Sequence, residues 1–361
     1  MTDSPAYLTR DLPGIGGQIR QRAEDFIVEE QPLYQPAGEG EHCYLFIEKK
    51  ELSSPDLIEV LANHFGVRER DIGMAGRKDT LAVTRQLVSI HTPGKSIDDF
   101  PMLQHDRVGI LWADMHTNKL RLGHLSGNRF SIRIRNVDMS KALAANRIMQ
   151  RLSQVGVPNR FGPQRFGTRN TNQFIGRSIL LGTYRKRIST SRRRFYLNAL
   201  QSAVFNRVLD SRLENNELSL LVPGDLAWKH AGGSVFAVDQ TTANDPETRQ
   251  RLDQLEISPS GPMWGASMTR ASGQTDQTEL DALAELELGP DDFANSRSSK
   301  LVPGVRRPLR VAISSAEVEG GCDEHGGYVR LTFDLPAGAY ATAVLREIMK
   351  SENLAQPPVS P

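Results

Sequence analysis

Residues 128–137 carry the clearest alternation of apolar and polar side chains in the chain. Phe130, Ile132 and Ile134 point one way; Ser131, Arg133 and Arg135 point the other. A period of two predicts a half-buried strand, here with a basic outer face. Residues 20–30, 42–49, 86–91, 108–115, 304–313 and 328–335 also read as strands, the last with Val329, Leu331, Phe333 and Leu335 on one face. The period changes to that of a helix after Ser53. That hydroxyl is placed to cap, Pro55 falls in the first turn, and Gly66 provides the stop after Phe65. Residues 140–155 carry a stripe of Ala145, Ile148, Met149, Leu152 and Val155, and 194–212 carry Leu197, Leu200, Val204, Phe205 and Val208. A last helix is expected over 341–350. From 222 to 299 the pattern fades, apart from an acidic helix near 276–288. Strand-rich ends around a helix-rich middle indicate an α+β protein, a discontinuous domain carrying an insert.

The 361 residues suffice for two domains, or one with a large insert. With 39% hydrophobic and 24% charged residues, the composition is that of an ordinary protein with real cores. No apolar run approaches the roughly 18 residues of a membrane span. The first ten residues lack an apolar stretch, so no secretory signal is expected. Cys43 and Cys322 lie far apart without metal-ligand spacing. A reduced, cytoplasmic setting is expected, with each cysteine a small buried or half-buried apolar residue. Charge changes the picture more. The net value is +1, but residues 101–212 hold 21 Lys and Arg against Asp106, Asp114, Asp138 and Asp210. That stretch is therefore +17 and the remainder −16, an asymmetry that points to a nucleic-acid partner.

Candidate chemistry concentrates in Gly76-Arg77-Lys78-Asp79-Thr80-Leu81-Ala82-Val83-Thr84-Arg85-Gln86. A cation beside Asp79 favours its ionised form, as a nucleophile or general base requires. Alone, such a turn is more often merely solvated. Arg185, Lys186, Arg187, Arg192, Arg193 and Arg194 flank a Ser/Thr turn and are expected to form a basic lip ahead of a helix. Cations there oppose the helix dipole, so phosphate binding is the better explanation. In 158–167 two Phe-Gly steps interleave with Arg160 and Arg165. The segment either grips single-stranded RNA or is a structural loop whose phenylalanines plug a core. Read singly, Asn128 is a turn residue, Phe26 a core aromatic, Tyr340 a helix-entry packing residue, and Asp25 a cap or ion-pair partner. The eight histidines show no ligand spacing, so no metal is expected. The zinc-deaminase signature and a Gly-rich nucleotide loop after a strand are both missing.

In combination these segments resemble the tRNA pseudouridine synthase D (TruD) family along nearly the whole chain. The resemblance runs in order through Ala23-Glu24-Asp25-Phe26-Ile27-Val28-Glu29-Glu30, residues 76–86, Asn118-Lys119-Leu120-Arg121-Leu122-Gly123-His124 and Gly127-Asn128-Arg129-Phe130. It continues through 158–167, Ser202-Ala203-Val204-Phe205-Asn206 and Leu335-Pro336-Ala337-Gly338-Ala339-Tyr340-Ala341-Thr342. It implies a discontinuous pseudouridine synthase catalytic domain with a mixed or antiparallel sheet, in segments 1–155 and 304–353. An inserted α/β TRUD domain would occupy 156–303, and 354–361 a disordered tail. It implies Asp79 as the catalytic aspartate and Phe26, Lys78, Asn128, Phe130 and Tyr340 around the target base. Tyr340 stands where Phe is common, so its hydroxyl needs a polar partner. The implied reaction isomerises a uridine, uridine-13 of tRNA, by base flipping and without metal or cofactor. Asp79 attacks C1′ or takes a proton from C2′; Lys78 biases Asp79 or contacts a phosphate; Asn128 reads the uracil edge or positions Asp79. Expected partners are tRNA and no membrane, with no obligate protein partner, the chain being a monomer. The rival reading is a non-catalytic RNA-binding or RNA-folding module on the same scaffold.

Overall fold

The structure, a computed structural model, describes residues 6–76, 78, 80–167 and 169–351. The expected disordered tail and the catalytic candidate Asp79 lie outside the described residues. The chain forms two compact units. One comprises 15–146 and 313–338; the other comprises 147–312 with the terminal segments 6–14 and 339–351.

The first unit is built on an eight-stranded sheet. In spatial order it runs Ser314–Asp323, Gly326–Pro336, Leu125–Arg135, Phe26–Pro32, Val83–His91, His42–Lys50 and Val108–His116, with the short strand Ile72–Met74 also pairing with Val83–His91. Phe26–Pro32 and Val83–His91 run parallel. The other pairs are antiparallel, so the sheet is mixed, as expected. Helix Ser54–Phe65 is capped by the Ser53 side chain and ends at Gly66 with φ of 64°. It buries Leu57, Leu61 and Phe65 against Leu45, Ile47, Val88 and Ile90. Val329, Leu331, Phe333 and Leu335 are all buried, and so are Phe130, Ile132 and Ile134 beside them.

The opposite side of the strand Leu125–Arg135 departs from expectation. Arg135 is buried, not part of an exposed basic face. Its Nε lies 2.8 Å from Asp25, and its Nη1 and Nη2 lie 2.8 and 2.9 Å from the Asp323 carboxylate. Asp25 is thereby an ion-pair partner. The Arg135 hydrogen bonds hold the Asp323 carboxyl well below its ordinary range. Ser314–Asp323 was not legible as a strand because it lies at the sheet edge, largely exposed, without a buried face to impose alternation.

In the second unit, helix Thr190–Glu214 buries Leu197, Leu200, Val204, Phe205 and Val208 among Leu283, Phe293, Trp264 and Leu309. A four-stranded sheet runs in the order Val305–Pro308, Ile257–Met263, Leu226–Lys229, Val235–Ala237; its first strand falls within 304–313, read as strand, and the other three in what looked patternless. Polar groups in its interior hide it from hydropathy. Arg306 and Glu279 form a buried ion pair at 2.7 Å, and Arg306 also donates to the buried Ser260. The unit boundaries differ from the segment limits 156 and 303. Helix Ala341–Met349, expected to close the catalytic domain, belongs to the second unit. There Glu347 accepts the backbone N–H groups of Leu8 and Thr9, both at 3.0 Å, and Gly162 faces Thr342 too closely for a Cβ. Cys43 is buried, which pushes its thiol up to about 11, whereas Cys322 is exposed, contrary to expectation.

Candidate active site

Sheet register assembles the site. In the antiparallel ladder Phe26 lies opposite Ile132, Val28 opposite Phe130, and Glu30 opposite Asn128. Residues paired this way share a face, so Phe26, Glu30, Asn128 and Phe130 project from one side of the sheet. The parallel strand Val83–His91 lies on the other flank of Phe26–Pro32, and Lys78 precedes it in the chain.

Lys78 is the organising cation. Its Nζ lies 2.8 Å from Glu30 Oε1 and donates to Asn128 Oδ1 at 2.6 Å. The Lys78 and Glu30 side chains are 8% and 2% exposed, so this is a buried ion pair whose remaining polar atoms need partners. Glu30 Oε2 accepts the Leu87 N–H at 3.1 Å, and the Lys78 N–H donates to Ser54 Oγ at 3.3 Å. Because an ammonium only donates, the amide oxygen of Asn128 must face Lys78. The Asn128 NH2 is the end left for anything else. Glu30 was not singled out from the sequence. The signal was available: an acid on the inward phase of an alternating strand, on the same face as Phe26 and Val28.

The aromatic candidates are already packed. Phe26 is 2% exposed with the Arg20 guanidinium 4.4 Å from its ring centroid. Phe130 is 7% exposed and stacks on Phe333 at 5.4 Å. Arg20, also missed in the sequence, has a left-handed φ of 58°. Tyr340 belongs to the second unit, where its ring lies 5.9 Å from Phe161 and its hydroxyl accepts a hydrogen bond from Arg165 Nη2 at 3.0 Å. That contact is the polar partner the hydroxyl requires.

The basic candidates divide. Arg185, Lys186 and Arg187 are exposed, as are Arg192 and Arg194, with Arg193 half-buried. Helix Thr190–Glu214 starts earlier than expected, so Arg192 and Arg193 lie in its first turn and Arg194 just beyond, and the Arg192 N–H is capped by Ser189. Arg192 Nε donates to the Tyr196 hydroxyl at 3.3 Å. Arg160 must be struck from the RNA-contacting set. It is buried and paired with Asp210, with Nη1 at 3.1 Å from Oδ2, so reaching a phosphate would strand that carboxylate. Arg165 is half-buried, over the Phe161 ring at 5.3 Å. Phe161 itself is buried in the second unit's core, so here the loop's phenylalanine plugs a core.

Fold similarity identifies the class. A crystal structure of a Methanosarcina mazei protein, named for tRNA pseudouridine synthase D, matches with a TM-score of 0.80 and 25% identity, over 96% of each chain. The fold is thus that of a pseudouridine synthase. The profile described as tRNA pseudouridine synthase D (TruD) matches residues 4–191 and 186–348. A tRNA pseudouridine synthase D of Thermus thermophilus is 43% identical over 349 aligned positions, covering 96% of this chain and 93% of that protein. The one from Geobacter metallireducens is 37% identical over 412 positions, covering 97% and 99%. This chain belongs to the TruD family.

Proposed function

We propose that this protein is the synthase that converts uridine-13 of tRNA to pseudouridine, with Asp79 as the catalytic carboxylate. Supporting this is the Glu30–Lys78–Asn128 cluster, which holds Lys78, the sequence neighbour of Asp79, against the sheet in a chain of this family. The reaction breaks C1′–N1, turns the uracil over and joins C1′ to C5. The C5 proton is lost and N1 gains one, so the product is an isomer and no net redox occurs. The target base must leave the tRNA stack to be reached. Phe26 and Phe130 are packed side chains beside the Glu30–Lys78–Asn128 cluster, and Tyr340 is kept as a base-contacting residue on the family resemblance. Asn128 turns its NH2 donor outward, which suits a uracil carbonyl and not the N3–H. Lys78 is committed to Glu30 and Asn128, which favours positioning over phosphate contact. Asp79 acts as nucleophile at C1′ or as base at C2′. The sheet-bearing unit supplies the chemistry, and the exposed 185–194 cations hold tRNA backbone. Among the described residues no helix is long and apolar enough to cross a membrane. The protein acts in the cytoplasm as a monomer, without cofactor or obligate protein partner.

The test is carbodiimide mapping of unmodified tRNA after incubation with wild type or Asp79→Asn, without added metal or cofactor. A stop at position 13 with wild type alone is expected. Appreciable turnover by Asp79→Asn removes Asp79 from the chemistry. Tight, salt-sensitive binding without any modification returns the protein to the class of RNA-binding modules.

A further inference from the structure

The Asn118–His124 motif takes no part in the Glu30–Lys78–Asn128 cluster, yet it borders a cavity of about 470 Å³ in the same unit. Tyr34, His116, Lys119, Arg121 and His124 line it, and none of the described lining residues is acidic. The walls are held in place. Tyr34 stacks on His116 at 5.2 Å, its hydroxyl lies 2.8 Å from His124 Nδ1 and 3.3 Å from the Tyr44 hydroxyl, and Tyr44 donates to the Asn118 carbonyl at 2.8 Å. Lys119 is anchored on the Arg70 carbonyl. Arg121 is exposed, and its guanidinium has no partner among the described residues. Beside it Leu122 is 77% exposed.

This wall is tied to the catalytic turn. The Gly123 N–H donates to the Ala75 carbonyl at 2.9 Å, and the Leu120 N–H to Ser89 Oγ at 2.9 Å. Gly73 passes Leu120 so closely that a Cβ would sit 2.3 Å from its carbonyl oxygen. Ala75 is three residues before Lys78, so the two Cα atoms are within about 11 Å even if the chain is fully extended.

Resting on the proposed reaction, we infer that this cavity is a subsite for a nucleotide flanking the target uridine in the bound RNA. Arg121 and Lys119 meet its phosphate, and the Tyr34–His116 pair provides a stacking surface for its base. Cations without carboxylates suit a phosphodiester. Fixed aromatic rings beside them suit an unstacked base, which any sequence can supply. The subsite would hold the strand on one side of the extruded uridine while the site around Lys78 receives the uridine itself.

The experiment compares wild type, Arg121→Ala and Tyr34→Leu, each checked for folding by circular dichroism. Binding to unmodified tRNA is measured across salt concentrations, and single-turnover isomerisation at saturating enzyme. Arg121→Ala is expected to weaken binding about tenfold and lower the log–log salt slope by about 1, leaving the saturated rate within twofold. Tyr34→Leu should weaken binding about tenfold with an unchanged slope. That loss should vanish on tRNA carrying an abasic site at the flanking nucleotide. Wild-type affinity and slope in both variants, with wild type active, would overturn the subsite. An inactive wild type whose binding still depends on Arg121 would sink the proposed reaction instead, leaving this cavity an RNA contact.

Discussion

At the scale of single residues, the orientation of the Asn128 amide carries the most chemical information. Lys78 takes the amide oxygen at 2.6 Å, so the donor end is presented outward. Asn128→Asp keeps an oxygen for Lys78 but replaces the outward donor with an acceptor. Single-turnover isomerisation should fall at least tenfold while the tRNA Kd changes only a few-fold; an unchanged rate would mean that the NH2 group makes no contact in the transition state. In the proposed reaction Glu30, which contacts Lys78, is a positioning residue. The sequence singled out Lys78 and Asn128 separately, but their contact spans 50 positions. No local pattern encodes it, because it depends on the Glu30–Asn128 register of two paired strands.

Among the elements, the strand Leu125–Arg135 and helix Thr190–Glu214 show how the same residue type takes opposite roles. Arg135 is buried between Asp25 and Asp323. Arg135→Met leaves Asp25, itself fully buried, without its cation and should cost about 3–5 kcal/mol in urea unfolding. Arg192–Arg194 instead open a helix at its positive end, with no acidic residue in its first turn. Replacing all three with Ala removes unfavourable dipole interactions. Tm should therefore hold or rise slightly, while tRNA affinity falls and the salt slope drops by about 2 to 3. A fall in Tm with an unchanged slope would make that run a structural element. Both arginine sets look alike in sequence; what separates them is whether the fold brings carboxylates to them.

For the whole molecule, a pH dependence of stability is expected from two half-buried histidines. Burial, with His91 nearby, lowers His42; burial, with Arg310 nearby, lowers His230. Unfolded, both titrate near 6.5. Between the lowered values and 6.5 the unfolded chain binds more protons, so stability falls as pH drops below about 6.5. Tm should be lower at pH 5.5 than at pH 7.5, and His230→Gln, which can still bond Ser258, should lessen the difference. An equal drop in the variant would assign the effect elsewhere. The strands with one buried face, the Ser53-capped helix and its Gly66 stop, and the charge asymmetry were legible from the chain alone, because each depends on neighbours within a few residues. The Lys78–Asp79 turn was recognisable as a motif for the same reason. The polar-cored second sheet, the edge strand Ser314–Asp323, the burial of Arg135 and Arg160, and the allegiance of helix Ala341–Met349 were decided only by tertiary structure. In each case the partner is far away in sequence, and a buried polar or charged group is stable only once the fold has delivered that partner.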